Sequence, residues 1–380
     1  MITKLKSLIE IKKGKKPKST LVSIENGYLP YVDIKAFEKG IVDVYTNDDK
    51  CLTCKDGDLL IVCDGSRSGL IGRAIKGYVG STLAKIEHDS SVDKDYLFYF
   101  VQGKYALLNT KKKGTGTPHL NAELLKESSI YLPDLAEQHR IVSRIEELFS
   151  QLDSGVETLK KTKDQLKVYR QAVLKEAFEG INETVNMSEV ADMIDPHPSH
   201  RTPPEIQGGI PYIGIGDIDY TANAINYDSA RKVSNDILNE HKERYRIQNG
   251  DFVMGKIGTI GKPFLLELPQ NYALSANVIL IQPNSERIKP MFLYWQFTSP
   301  LITEQLKIGA KATSQPAFGI KKARVLKIRI CSLSRQDQIL EYIGEKISVC
   351  DSIEKTIDTA LQEAEALRQS ILKQAFEGGL

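Results

Sequence analysis

Two stretches of this chain close in nearly the same way: "RQAVLKEAFEG" at 170–180 and "RQSILKQAFEG" at 368–378, 198 residues further on. An internal repeat constrains a fold more than any local propensity, because both copies must bury the same faces. At that offset Leu132 falls on Ile330, Gln138 on Gln336, Ile141 on Ile339, Ile145 on Ile343 and Asp153 on Asp351, without a gap to the final glycine. Upstream the match continues with small shifts. "LPYVDI" at 29–34 answers "IPYIGI" at 210–215, "DGDLLIV" at 56–62 answers "NGDFVMG" at 249–255, and "KGTGTPHLN" at 113–121 answers "KATSQPAFG" at 311–319. The chain is one unit, a variable domain followed by a helix, written twice.

The repeated helix segments read as heptads. Counting from Ile145 as position a, the first copy places Ile145, Leu152, Leu159, Leu166 and Val173 on one seam, with mixed d positions. In the second copy Ile343, Ile357 and Ile371 fall at a, and Ile353 and Leu367 at d. So narrow an apolar seam on so long a helix is the condition for pairing with another helix. Some 44 residues make a helix of about 65 Å at 1.5 Å per residue. Antiparallel pairing would put one domain at each end of such a rod.

The blocks between the helices read mainly as β structure, with short apolar runs such as "DLLIVCD" and "NVILIQP" bounded by Gly, Asp and Pro. Around "DKDYLFYFVQGKYALLN" and "KPMFLYWQFTSPLITEQLK" the apolar spacing lengthens towards 3.6, which predicts shorter helices with Tyr96, Phe100, Phe292 and Trp295 in the core. The expected organisation is a domain at 1–132, a long helix at 133–180, a second domain at 181–330 and a second long helix at 331–380. At 380 residues, 41% apolar and 26% charged, this is the composition of a multidomain globular protein. No apolar run of 18 residues occurs, the lysine-rich N-terminus does not resemble a signal peptide, and five cysteines do not suggest a disulfide framework; a cytoplasmic protein without membrane contact is expected.

A net charge of +2 conceals an alternation. Residues 1–130 hold 21 Lys and Arg against 16 Asp and Glu, and residues 181–330 hold 17 against 15, whereas the helix segments 131–180 and 331–380 hold 8 against 9 and 5 against 9. The basic excess lies in the domains, where a polyanion would be expected to bind. Enzyme signatures are missing. "GKIGTIGKP" at 255–263 has the wrong spacing for a phosphate loop and a proline in place of the hydroxyl, and "CLTC" at 51–54 has no second ligand pair for zinc. "GIGDID" at 214–219 lacks the third glycine of a dinucleotide fingerprint, and the six histidines form no motif.

Two pairs of loops recur at equivalent places. "DGSRSGLIGR" at 64–73 offers Ser66, Arg67 and Ser68, and its counterpart "MGKIGTIGK" offers Lys256 and Thr259. "NTKKKGTGTPHLN" at 109–121 offers Lys111, Lys112, Lys113, Thr115, Thr117 and His119, and its counterpart offers Lys307, Lys311, Thr313, Ser314 and Gln315. Lysines suit phosphates, while hydroxyl, amide and imidazole groups can bond base edges.

The order of parts resembles the DNA-specificity (S) subunit of Type I restriction–modification systems. Its marks are "YLPDLAEQHRIVSRIEELFSQLDSGVETLKKTKDQLKVYRQAVLKEAFEG", the glycine-punctuated "GDLLIVCDGSRSGLIGR" and "GTGTPHLN" shortly before the long helix. The resemblance implies an α+β chain of two tandem, pseudo-symmetric target-recognition domains separated by two long helices that pair as an antiparallel coiled coil. It further implies that each domain reads one half of a bipartite site on double-stranded DNA, while the helices set the gap and dock two methyltransferase (M) subunits. Such subunits have no catalysis or cofactor of their own; S-adenosylmethionine, ATP and magnesium belong to the partners, which in some systems include restriction/translocase (R) subunits. Asp134 stands where the family usually has a second proline, and Arg335 replaces the acidic Glu137 in the second copy. The competing expectations are a stand-alone nuclease or methyltransferase with an unrecognised site, and an adaptor that binds proteins through its helices.

Overall fold

The computed structural model describes residues 2–112, 118–199, 201–256, 260–310 and 318–377. The chain divides into two units, one of residues 1–160 with 358–380 and the other of residues 161–357. Each unit therefore contains a domain, part of the first long helix, Leu135–Ala177, and part of the second, Leu333–Glu377.

The duplication read from the sequence recurs as topology. In the first unit a four-stranded sheet runs in the order Ile9–Lys13, Leu83–His88, Leu59–Val62, Ile71–Arg73. The second unit repeats it with Ala191–Ile194, Val278–Pro283, Phe252–Gly255 and Phe264–Leu265. A smaller sheet in each holds the same unusual parallel pair, Leu29–Val32 beside Gly77–Val79 and Ile210–Ile213 beside Ala273–Leu274. A third pairing, Ile2–Lys4 with Ser129–Tyr131 and Thr184–Asn186 with Lys327–Arg329, joins the two ends of each domain. The central strands Leu59–Val62 and Phe252–Gly255 are buried along their whole length, which explains why their sequences are apolar runs rather than alternating patterns. Both aromatic segments are helical, and each is split in two: Lys94–Gly103 with Tyr105–Thr110, and Pro290–Thr298 with Pro300–Ala310. Tyr96, Phe100 and Phe292 are buried, and Trp295 is partly so.

The domain cores are completed by the long helices. Ile141, Ile145 and Phe149 from the first helix and Ile371, Leu372 and Ala375 from the second join the core of the first unit, where the Phe376 ring meets Tyr96 at 5.0 Å and Phe100 at 5.2 Å. In the second unit Leu174, Ala177 and Phe178 join Ile339, Ile343 and Ile347. The helix segments run antiparallel within each unit. Arg170 bonds Asp351 at 2.6 Å and Glu354 at 2.9 Å in the second, and the equivalent pair, Arg368 with Asp153, recurs in the first, with the Arg368 guanidinium 4.4 Å above the Phe149 ring.

The heptad frame needs one correction. Ile145, Val173, Ile343, Ile357 and Ile371 are buried, as is Leu166 at 9% exposure, and Leu152 and Leu159 are partly buried. Ile353 and Leu367, placed on the seam by the sequence, are 40% and 51% exposed. The second line of the seam lies four residues after the first rather than three, at Phe149, Val156, Lys163, Arg170 and Ala177 and at Ile347, Glu354, Leu361, Arg368 and Ala375. Charged residues at Lys163, Arg170, Glu354 and Arg368 disguise that line, because their stems cover apolar surface while their heads pair at its edge.

A buried glutamine latches each helix to its domain. Gln138 accepts from the Asp93 amide at 2.8 Å and donates to Ser91 O and Pro133 O, both at 2.9 Å. Gln336 accepts from the Lys289 amide at 2.7 Å and donates to Arg287 O and Cys331 O at 3.2 and 2.8 Å. Neither side chain reaches solvent. Replacing Gln138 or Gln336 with Leu removes the partner of one amide and two carbonyls in part-buried bonds, so each variant is expected to lose about 1–3 kcal/mol of stability in urea denaturation.

Candidate nucleic-acid interface

In the first unit the two loops singled out in the sequence form one surface. The turn between strands Leu59–Val62 and Ile71–Arg73 needs Gly65 and Gly69 at φ +106° and +94°, and a Cβ on Gly69 would lie 2.7 Å from Leu108 Cβ. Pro118 O accepts from the Gly65 amide at 2.9 Å, and Cys63 O from the Leu120 amide at 2.7 Å. Asn109 Nδ2 and Lys112 Nζ both donate to Ser66 O, at 2.9 and 2.7 Å. The turn is thereby stitched to the end of helix Tyr105–Thr110 and to the strand-like stretch at His119.

Ser66, Arg67 and Lys111 project from this surface. Arg67 pairs with Glu38, which is largely buried, yet the arginine side chain stays 59% exposed. His119 Nδ1 lies 2.7 Å from Asp64 Oδ1, and Lys13 Nζ lies 2.8 Å from Asp64 Oδ2. Burial alone would raise the Asp64 carboxyl, but its bonds from Lys13 and His119 hold it below the usual carboxylate range. An ionised Asp64 holds a hydrogen on His119 Nδ1, which leaves Nε2 to meet a ligand. Ser68 is a correction. It is fully buried, and its hydroxyl donates to Gly65 O at 2.7 Å, so it shapes the turn and is out of reach of a ligand.

The second unit repeats the stitch. Lys256 O accepts from the Phe318 amide at 2.8 Å, and Gly261, at φ +74°, sits against Leu306 as Gly69 sits against Leu108. Here too one sequence expectation fails. Lys256 pairs with Asp195 at 2.8 Å and only 12% of its side chain is exposed, which withdraws it from any external phosphate. Lys307 is exposed on helix Pro300–Ala310. Lys113, Thr115, Thr117, Thr259, Lys311, Thr313, Ser314 and Gln315 lie outside the described residues.

The sequence showed no histidine motif, yet folding joins two histidines. His197 Nδ1 lies 3.2 Å from His241 Nε2, His241 Nδ1 lies 3.0 Å from the Tyr245 hydroxyl, and His197 Nε2 lies 2.9 Å from Arg201 O. Because Arg201 O can only accept, the hydrogen sits on His197 Nε2, and His241 donates from Nε2 and accepts at Nδ1 from Tyr245. Arg244 adds bonds to Asp195 O and Pro196 O, so the whole group anchors the segment that holds Lys256. Their spacing of 44 residues and the prolines between them gave no periodic signal. Nearby, Tyr212, Asp217, Arg231, Ser275 and Asn277 line a polar cleft of about 580 Å³.

Protonating His241 would add an N–H at Nδ1, where the ring accepts from the Tyr245 hydroxyl, and would place a charge in the interior. Burial, with His197 and Arg244 nearby, pushes His241 down to about 4. An unfolded histidine titrates near 6.5, so the stability contributed by the neutral ring is complete above that pH and is lost as the pH falls towards 4. Urea denaturation is expected to show the second unit weakened by about 2 kcal/mol between pH 7 and 5. His241→Gln should flatten that dependence.

Comparison with known proteins places the chain in a class. It matches the Type I restriction modification DNA specificity domain over residues 1–168 and again over 182–363, and belongs to that family. It is 25% identical to the Type I restriction enzyme EcoBI specificity subunit of Escherichia coli, over 85% of this chain and 73% of that one. With the MjaVIII specificity subunit of Methanocaldococcus jannaschii it shares 24% identity over 97% and 89% of the two chains. Among solved structures, a chain from work on complex assembly and conformational transition of the type I R-M system superposes with a TM-score of 0.73 at 18% identity, covering 100% and 98% of the two chains. The HsdS subunit of Thermoanaerobacter tengcongensis gives 0.54 at 18% identity, covering 100% and 97%. These structural likenesses establish the fold. Among the described residues no helix is long and apolar enough to cross a membrane.

Proposed function

We propose that this chain is the sequence-reading subunit of a cytoplasmic Type I restriction–modification complex, in which each domain reads one half of a bipartite site on double-stranded DNA. The observation that supports it most is the duplication of the stitched surface. Both units set a glycine turn beside the segment that follows a short helix, and both fix that surface to the head of one long helix and the tail of the other. In the first domain Ser66, Arg67, Lys111, Lys112 and His119 are the groups offered to DNA, with Lys113, Thr115 and Thr117 as further candidates from the same loop. In the second, Lys307 remains, together with Thr259, Lys311, Thr313, Ser314 and Gln315. Arg67 can bond a guanine edge, and His119 can bond a base edge through Nε2.

On this reading the helices act as a spacer and as the platform for two methyltransferase subunits, while restriction/translocase subunits join the assembled complex. Catalysis and its cofactors, S-adenosylmethionine, ATP and magnesium, belong to those partners. The half-sites are centred about one DNA turn, roughly 34 Å, apart.

Methylation mapping of the complex tests the assignment. Arg67→Ala and His119→Ala should each relax sequence preference at one half of the site, with losses of about 10- to 100-fold against the original base, and leave the other half unchanged. Inserting four residues into both long helices, about one helical turn, should alter the spacer and leave both half-site sequences intact. Methylation or cleavage of DNA by the isolated chain, given S-adenosylmethionine and magnesium, would reverse the reading.

A further inference from the structure

The second domain carries a basic surface that the equivalent face of the first domain lacks. Lys321, Lys322 and Arg324 are exposed on and around the short helix Ile320–Arg324, Lys327 is exposed on the strand that follows, and Lys307 is exposed on helix Pro300–Ala310. Bonds to the backbone tie Lys322 and Lys327 to the helix that carries Lys307. Lys322 Nζ donates to Gly309 O at 2.8 Å, and Gln305 holds Lys327 through its amide at 2.8 Å and its carbonyl at 3.0 Å. Lys327 Nζ reaches only a neutral partner, Asn186 Oδ1, at 3.0 Å. Among the described residues none of the five cations pairs with a carboxylate; Glu189, three residues after Asn186, accepts from that residue's own amide at 2.8 Å.

The positions 198 residues earlier are Asn109, Glu123, Leu124, Lys126 and Ser129. That surface is closed on itself. Glu123 takes Lys126 at 3.2 Å, and Glu127 takes both Lys6, at 3.0 Å, and Lys4. The same backbone therefore supports a neutralised face in one copy and an unneutralised one in the other.

Resting on the reading of the chain as a DNA-specificity subunit, we propose that Lys307, Lys321, Lys322, Arg324 and Lys327 grip DNA phosphates in the second domain without regard to sequence, and that the equivalent face of the first domain does not. Exposed lysines spread over two helices and a strand form no pocket for a small anion, but they match a polyanion whose charges are spaced along a surface.

Salt titration separates this from the alternatives. The full chain, with whatever subunits co-purify, is titrated with a short fluorescein-labelled duplex of mixed sequence between about 50 and 200 mM salt. The variant Lys321→Gln/Lys322→Gln/Lys327→Gln should lower the slope of log affinity against log salt by about 2–3 and weaken low-salt binding by about 10- to 100-fold. Arg324→Gln alone should lower the slope by about one. Methylated sequences should not change. In the control Lys4→Gln/Lys6→Gln/Lys126→Gln, cations already paired in the first domain are removed, and the slope should hold. An unchanged slope in the triple variant, or an equal drop in the control, overturns the patch and leaves the specificity reading intact. Loss of co-purifying subunits at unchanged slope would assign the surface to a protein partner instead. If the unaltered chain shows no salt-dependent DNA binding, both the patch and the reading beneath it fall.

Discussion

Neither domain closes its core with local sequence. The aromatic helix Lys94–Gly103 leaves Tyr96 and Phe100 facing Phe376, a residue more than 270 positions away, and Phe292 faces Phe178 at 5.3 Å, more than 110 positions before it. Burial of these rings is worth more than any single polar contact nearby, since a large aromatic buries some 150–250 Å². Removing either long helix would expose an apolar face on both domains. The chain is thus obliged to fold with each helix shared, and the antiparallel pairing within each unit follows from that obligation.

Polar interactions then choose the register that apolar burial leaves loosely defined. The two arginine pairs, Arg170 with Asp351 and Arg368 with Asp153, are half open to water and worth at most about 1 kcal/mol each. Their value is positional, because a slip along the seam would break them together with the apolar contacts. The buried glutamines act differently. Gln138 and Gln336 are enclosed, and each uses its whole amide group in three bonds to the backbone of domain and helix start, so the angle between helix and domain is held by a buried group that is costly to strand. Strong apolar closure, modest register pairs and a satisfied polar latch together give a rigid mount for the loop surfaces.

Those surfaces show how one backbone serves two chemistries. Gly69 against Leu108 and Gly261 against Leu306 keep the turn in place in both copies, since no side chain fits there. Around that fixed turn the charges differ. His119 and Arg67 are held by carboxylates in the first domain, whereas the second turns Lys256 inward onto Asp195 and opens its basic face at Lys321, Lys322, Arg324 and Lys327. A duplicated scaffold with unlike surfaces is what reading two different half-sites would require.

Much of this was legible in the chain itself. The offset of 198 residues, the long helices, the buried strand runs and the pairing of loops across copies all rest on local periodicity or on direct repetition, which sequence displays without folding. Three features were decided only by tertiary structure. Ser68 and Lys256 are the types of residue that bind DNA, but burial under Pro118 and pairing with Asp195 remove them, and neither neighbour is near in sequence. Ile353 and Leu367 lie outside the seam because Lys163, Arg170, Glu354 and Arg368 occupy its second line, and a charged side chain gives no sign in sequence that its stem is covered. His197 and His241 meet only because helix Asn235–Arg244 packs on the segment before it. Periodic burial is written along one strand of sequence; which charge meets which depends on distances between segments that only the folded chain brings together.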